Sequence, residues 1–270
     1  MFRPGNSAWY SIFANGTGGA IQWGSASDIS VPGDYDGDGR AGVAVYRPSS
    51  GHWFLLRSST SSTAWDTVQW GTTGDIPVPA DYDGDGRADP ATYRPSTGRW
   101  SILSSRSGYS TGTGVVWGAG ADKPIAADFD GDGKADLGLF RPSTGHWFVL
   151  KSSTGLTAWD TYQWGTSGDV PIAGDYDGDG RADMVVYRPS NGTWYILSSS
   201  TGFTGGFGYI WAAAGDVPVA GDFDGDGVSD ITVYRASSAH WFILKSSTRF
   251  TAWDIYQWGQ TGDLLIGGFN

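Results

Sequence analysis

The chain has 270 residues, 39% apolar and 15% aromatic, with no cysteine and a formal net charge of −11. That length and apolar share allow one large domain or two small ones, and the missing cysteine excludes disulfides and thiol chemistry. No basic cluster is present to release phosphate counter-ions, which argues against a nucleic-acid partner, and no apolar run is long enough to imply membrane insertion.

Met1 runs straight into Phe2-Arg3-Pro4 with no signal peptide, and this aromatic-Arg-Pro element recurs down the chain. The first acidic loop follows at Asp34-Tyr35-Asp36-Gly37-Asp38-Gly39, and further copies open at Asp81, Asp128, Asp175 and Asp222, each 47 residues after the last. Self-similarity at that period means a solenoid, a propeller or an array. Within residues 75–117 the alternation of apolar and polar residues predicts four strands: 76–80 (a), 89–93 (b), 99–104 (c) and 114–117 (d), with the acidic loop between a and b. Four strands per repeat of this length is the blade of a β-propeller.

The chain ends complement one another. Residues 1–24 supply strands b, c and d, and residues 263–270 supply an a strand, so one shared blade would close the ring and hide both sheet edges. With blades at 28–70, 75–117, 122–164, 169–211 and 216–258, the expected fold is all-β: a single six-bladed propeller domain spanning 1–270.

Side chains at the first, third and fifth positions of a tight loop converge on one point, where a hard, oxygen-seeking cation such as Ca²⁺ fits. A glycine at the sixth position permits the bend, and a backbone carbonyl at the seventh with aspartate at the ninth could complete the shell. The candidate ligands are therefore Asp34, Asp36, Asp38 and Arg40; Asp81, Asp83, Asp85, Arg87 and Asp89; Asp128, Asp130, Asp132, Lys134 and Asp136; Asp175, Asp177, Asp179, Arg181 and Asp183; and Asp222, Asp224, Asp226, Val228 and Asp230. The arginines, lysine and valine enter through their carbonyls. Gly42 stands at the ninth position of the first copy, so that site is expected to bind less tightly or to use an extra water, and Gly42→Asp to tighten it. All 28 acidic residues are aspartates at repeat positions, and five divalent ions would bring the charge from −11 to about −1. Low-affinity Ca²⁺ loops fill where calcium is abundant, which places the protein outside the cell.

The loop pattern DxDxDGxxD between the first two strands of each blade resembles the FG-GAP or VCBS-type repeats of integrin α-subunit propellers and of many bacterial secreted proteins. The resemblance covers the whole chain and implies the propeller fold and calcium binding. Relatives include adhesion receptors, lectins and non-catalytic modules of enzymes, so it leaves the activity open.

Two tryptophan series keep the 47-residue period: Trp23, Trp70, Trp117, Trp164, Trp211 and Trp258, and the tryptophans six residues after Arg3, Arg47, Arg94, Arg141, Arg188 and Arg235. Both are read as core. The same arginines match in number six aspartates, Asp28, Asp75, Asp122, Asp169, Asp216 and Asp263, and are expected to pair with them on the face opposite the acidic loops, or else to form a ring of polar ligand contacts. A second period of 94 residues relates His52, His146 and His240, together with Trp65-Asp66, Trp159-Asp160 and Trp253-Asp254. The ring is thus a pseudo-threefold repeat of two-blade units.

Every aspartate belongs to a repeated set, so no carboxylate is left over for a singular active site, and no nucleophile or phosphate-loop motif occurs. A non-enzymatic module is expected. The nine residues of the 94-residue set are candidate carbohydrate contacts, an indole to stack on a pyranose beside a carboxylate to take its hydroxyls, against the alternative that each tryptophan only fills space toward the next blade. The expected function is lectin-like carbohydrate binding at repeated sites; the rivals are a protein-binding adhesive scaffold and a passive targeting module.

Overall fold

In the computed structural model, which describes residues 1–12 and 18–265, strands fall where the apolar alternation puts them. The repeat within 75–117 runs Ile76–Pro77, Ala91–Arg94, Arg99–Leu103 and Gly112–Val116. Its first strand is shorter than expected, ending before Pro79, although the Val78 N–H still donates to the Ala91 carbonyl at 2.8 Å and an Ala80 to Asp89 bridge follows. Ile29–Ser30, followed by Pro32, is short in the same way; with alanine at the corresponding position Lys123–Ala127 and Val170–Gly174 run five residues and Val217–Val219 three.

The fold is an all-β, six-bladed propeller of four-stranded antiparallel blades, with strands in sequence order within each blade. Helix among the described residues is confined to three-residue turns at Ser152–Thr154, Ser199–Thr201 and Ser246–Thr248. The chain forms two compact units. The first comprises Met1–Gly120 with the segment from Gly262, and the second Ala121–Thr261. In the first unit Leu264 pairs with Phe2, through N–H to carbonyl bonds of 3.0 and 2.7 Å, beside the sheet of Phe2–Arg3, Ala8–Ile12 and Gly18–Gln22. The rest of the expected closing strand, residues 266–270, lies outside the described residues.

Second strands such as Ala44–Arg47 in the first unit and Asp183–Arg188 in the second are buried on both faces, because each of these blades is covered on either side by neighbours of its own unit. Trp53, Trp100, Trp147 and Trp194 on third strands are fully buried, each a burial on the order of 4–6 kcal/mol. Both tryptophan series also direct their indole N–H groups. Within a blade, Trp53, Trp100 and Trp147 donate to the carbonyls of Trp70, Trp117 and Trp164. Between blades, Trp23 and Trp70 donate to Phe54 and Ser101 in the first unit, and Trp164 and Trp211 to Tyr195 and Phe242 in the second.

Candidate metal centres

The five acidic loops have a common internal construction. The first aspartate (Asp34, Asp81, Asp128, Asp175, Asp222) accepts the N–H groups of the fourth and sixth residues at 2.6–2.8 Å. Those two residues are glycines with φ between 74° and 88°, a region that side chains rarely enter. The third aspartate is held through Oδ2 by a serine from the c to d corner: Ser59, Ser153, Ser200 and Ser247 donate their hydroxyls to Asp36, Asp130, Asp177 and Asp224 at 2.6 Å, and Ser104 does so to Asp83 at 2.5 Å. The fifth aspartate accepts at Oδ1 the seventh residue's N–H and a second serine hydroxyl, from Ser58, Ser105, Ser152, Ser199 or Ser246, at 2.9–3.0 Å.

Carboxylate oxygens in each loop lie within 4.8 Å of one another: Asp34, Asp36 and Asp38; Asp81, Asp83 and Asp85; Asp128, Asp130 and Asp136; Asp175, Asp177 and Asp183; Asp222, Asp224 and Asp226. The hydrogen bonds order these groups but leave one acceptor over. Oδ1 of Asp83, Asp130, Asp177 and Asp224 is buried without a hydrogen-bond partner. A buried carboxylate oxygen left bare is costly, and a cation at the convergence point satisfies it. The donor set is all oxygen and rich in carboxylates, which suits a hard cation of flexible coordination.

The ninth aspartates, Asp89, Asp136, Asp183 and Asp230, have no solvent exposure. Oδ2 accepts the N–H of the loop's second residue at 2.7–2.9 Å, and Oδ1 accepts the N–H of Ser105, Ser152, Ser199 or Ser246 at 2.6–2.7 Å. Burial pushes the Asp136 and Asp183 carboxyls up to about 6 in the ion-free chain, and those of Asp89 and Asp230 also upward. These residues anchor the loop to the corner as well as standing near the cation. Sequence reasoning missed the serines, whose only trace is that Ser58, Ser105, Ser152, Ser199 and Ser246 keep the 47-residue spacing.

Loops of successive blades are tied together. Ala88 N–H donates to the Asp34 carbonyl at 2.6 Å in the first unit; Ala182 and Ser229 donate to Asp128 and Asp175 at 2.7 and 2.6 Å in the second. Order imposed on one loop is thereby passed to its neighbour.

The first loop departs from the pattern. A Cβ on Gly42 would meet the Leu56 carbonyl oxygen at 2.6 Å. The expected simple gain from Gly42→Asp is therefore corrected: the strand has closed on the glycine, and a side chain there must first displace backbone.

The expected carbohydrate contacts are not brought together. Trp65 and Asp66 are neighbours on one strand, so they point to opposite faces, as the alternating exposure of Trp65–Gln69 records. The same holds for Trp159 with Asp160 and Trp253 with Asp254. His52 pairs with Gln69 and Leu56 with Trp65, which puts histidine and indole at opposite ends of the hairpin, roughly 13 Å apart. His146 and His240 are placed likewise. The carboxylates are engaged: Asp66 with Arg57 through two bonds of 2.6 Å, Asp160 with Lys151, and Asp254 with Lys245 at 2.5 Å. His52, His146 and His240 bond to Ser50, Thr144 and Ser238. Only the indoles stand out, with Trp65, Trp159 and Trp253 at 53%, 50% and 53% exposure. Trp65 lies edge-on to Trp23 and Trp253 packs on Trp211, so they also fill space against the preceding blade.

The six Arg to Asp pairs form as expected, Arg3–Asp263, Arg47–Asp28, Arg94–Asp75, Arg141–Asp122, Arg188–Asp169 and Arg235–Asp216, at 2.7–2.9 Å. Each guanidinium is spent on its aspartate, and those of Arg3, Arg47, Arg141, Arg188 and Arg235 also lie over a ring at 4.2–4.5 Å.

Comparison with known proteins agrees with this construction. Residues 128–186 and 175–233 match the FG-GAP-like repeat family, and the chain carries FG-GAP-like repeats. No curated protein sequence matches the chain. Its structure is similar to that of a catalytically inactive virginiamycin B lyase from Staphylococcus aureus with quinupristin (TM-score 0.59, 9% identity, covering 93% of this chain and 77% of that one). It is also similar to BBS1N in complex with ARL6DN (0.53, 8%, 83% and 67%). A third is an Agrocybe aegerita lectin solved for its specific recognition of non-reducing terminal N-acetylglucosamine (0.55, 16%, 80% and 62%). At these identities the likeness is one of fold.

Proposed function

We propose that the chain is a calcium-stabilised propeller that serves as a non-catalytic binding module outside the cell, with glycans as its ligand class. The observation that carries the calcium part is the bare, buried Oδ1 repeated at Asp83, Asp130, Asp177 and Asp224. Bound Ca²⁺ supplies the partner that these oxygens lack, Asp83 Oδ1 having only the exposed Arg106 guanidinium at 3.5 Å. The serine and backbone donors fix the carboxylates around it, so that loop, corner and next blade become one cross-linked region. Loops of this low-affinity kind fill at extracellular calcium levels, which supports secretion.

The glycan part rests on Trp65, Trp159 and Trp253, half-exposed indoles repeated on alternate blades, each able to stack on the apolar face of a sugar. Asp66, Asp160 and Asp254 drop out as partners because they face away and are paired. Equivalent weak sites gain strength together when the ligand is multivalent. Fold likeness to a lectin is consistent with this and adds no site.

A second reading, a protein-binding scaffold, is favoured by the outer strands, where Val116 and Ile210 are 68% and 79% exposed on unpaired edges. One experiment separates the two: a glycan array probed with calcium present, using the chain and a Trp65→Ala, Trp159→Ala, Trp253→Ala triple variant. Binding that the variant loses supports the glycan reading. Silence at millimolar glycan, with a protein partner retained under excess free sugar, sinks it.

A further inference from the structure

We infer that the first acidic loop, Asp34 to Gly42, holds no cation, because the Ser58 hydroxyl engages the Asp36 oxygen whose counterpart has no hydrogen-bond partner in the other four loops, and no ninth carboxylate is present. The inference rests on the calcium reading above and divides it: four ions per chain rather than five.

In the loops opening at Asp128, Asp175 and Asp222, the ninth carboxylate captures both the N–H and the hydroxyl of its serine. The hydroxyls of Ser152, Ser199 and Ser246 lie 2.8, 2.8 and 2.9 Å from Oδ1 of Asp136, Asp183 and Asp230. Asp89 takes the Ser105 N–H in the same manner. Held there, the serine stays off the third aspartate, whose Oδ1 is left bare. Gly42 offers no carboxylate, and the Ser58 hydroxyl, with no ninth aspartate to hold it, reaches the third aspartate instead. Its Oγ lies 3.2 Å from Asp36 Oδ1, 3.0 Å from Asp38 Oδ1 and 3.2 Å from the Arg40 carbonyl oxygen. The fifth-position contact is common to all five loops and Ser246 also reaches its seventh-position carbonyl at 3.3 Å, so the contact with the third-position oxygen is what sets Ser58 apart.

The Ser58 hydroxyl gives Asp36 Oδ1 the hydrogen-bond partner that its counterparts lack. Asp36 Oδ2 is meanwhile taken by Ser59, whose N–H and hydroxyl donate at 3.1 and 2.6 Å. Both oxygens of Asp36 are thus engaged within the protein, and the loop is satisfied as it stands. A cation entering here would have to compete with Ser58 for Asp36 Oδ1 and would find one carboxylate fewer than in the other loops. The Leu56 carbonyl, which a Cβ on Gly42 would meet at 2.6 Å, closes the space in which that carboxylate would sit.

The test counts ions. The full chain, stripped with chelator and equilibrated with about 1 mM free Ca²⁺, is analysed for bound calcium by atomic emission, alongside Asp36→Asn and Asp177→Asn. The expected result is four ions for the parent chain, four for Asp36→Asn and three for Asp177→Asn. The calcium-induced rise in melting temperature should be unchanged in Asp36→Asn and reduced in Asp177→Asn, which guards against a loop merely disturbed by the substitution. Loss of one ion in Asp36→Asn overturns the inference while leaving the calcium reading intact. A parent chain that binds no calcium overturns both.

Discussion

The backbone N–H of Ser105 donates to Asp89 Oδ1 at 2.6 Å, joining the end of an acidic loop to the corner that closes the same blade. Asp136 with Ser152, Asp183 with Ser199 and Asp230 with Ser246 repeat the bond at 2.7 Å. The carboxylate that makes it has no solvent exposure and spends its other oxygen on the loop's own backbone. Position nine is therefore structural before it is a matter of ligand chemistry, and that distinction is measurable.

Asp183→Ala strands the N–H groups of Tyr176 and Ser199 in the interior and leaves the Ser199 hydroxyl to Asp179 alone. At about 1–3 kcal/mol for a buried group left unpaired, the expected loss is at least 2–3 kcal/mol of stability, roughly, and it should persist in chelator. Denaturant unfolding with and without calcium checks this. A variant that is destabilised only when calcium is present would make Asp183 a ligand and nothing more.

Arg106 stands where the other corners carry Ser59, Ser153, Ser200 and Ser247. Its Nε lies 3.5 Å from Asp83 Oδ1, the bare oxygen of the second loop, and its guanidinium also donates to the Asp83 carbonyl. A positive charge already sits beside that cation site, though the side chain is 60% exposed and free to swing out. Arg106→Ser should therefore tighten one calcium site by about five-fold, corresponding to an exposed charge interaction of about 1 kcal/mol. A calcium titration in which no site changes, or one weakens, counts against the assignment.

How far the sequence carries depends on whether a feature is repeated and local. The blade count, the acidic loops and the Arg to Asp pairs are legible because each is written five or six times at one spacing. The serine anchors are not, since serine fills turns throughout this chain and Ser105 meets Asp89 only when the corner folds back. Trp65 and Asp66 mislead for the opposite reason: adjacency along a strand is opposition in space. Gly42 announces a missing carboxylate, but not that Ser58 turns toward Asp36 in its place.

The Arg188 to Asp169 clamp offers a test on the opposite face. Asp169 is buried and accepts two guanidinium bonds at 2.8 and 2.9 Å, while Arg188 also covers the Tyr195 ring. Arg188→Ala leaves that carboxylate with the N–H and hydroxyl of Thr166 as its remaining donors, and should cost about 2–3 kcal/mol after allowance for the partly exposed arginine. Arg188→Lys should recover less than half, because an ammonium cannot make the paired bonds or the flat ring contact. Melting curves of the two variants decide it; equal stability of Arg188→Lys and the parent chain would show that charge alone suffices.

The pH dependence of stability should change sign with calcium. In chelator, burial holds the Asp136 and Asp183 carboxyls at about 6, above the ordinary carboxylate value of 3.8. Between about pH 4 and 6 the folded chain then binds more protons than the unfolded one, so stability falls as pH rises through this window. The contribution is fully present below the unfolded value and is lost above about 6. Asp28 and Asp216 act in the reverse sense: burial raises them, but their arginines and backbone donors outweigh it and bring them below the ordinary value. What they contribute is lost only at more acidic pH. With calcium present, proton and ion compete for the same carboxylates, and stability should rise with pH across the interval in which it falls without the ion. Melting temperatures between about pH 4.5 and 6 in chelator and in calcium provide the comparison. Two curves that run parallel would mean that the buried aspartates and the cation do not share a site.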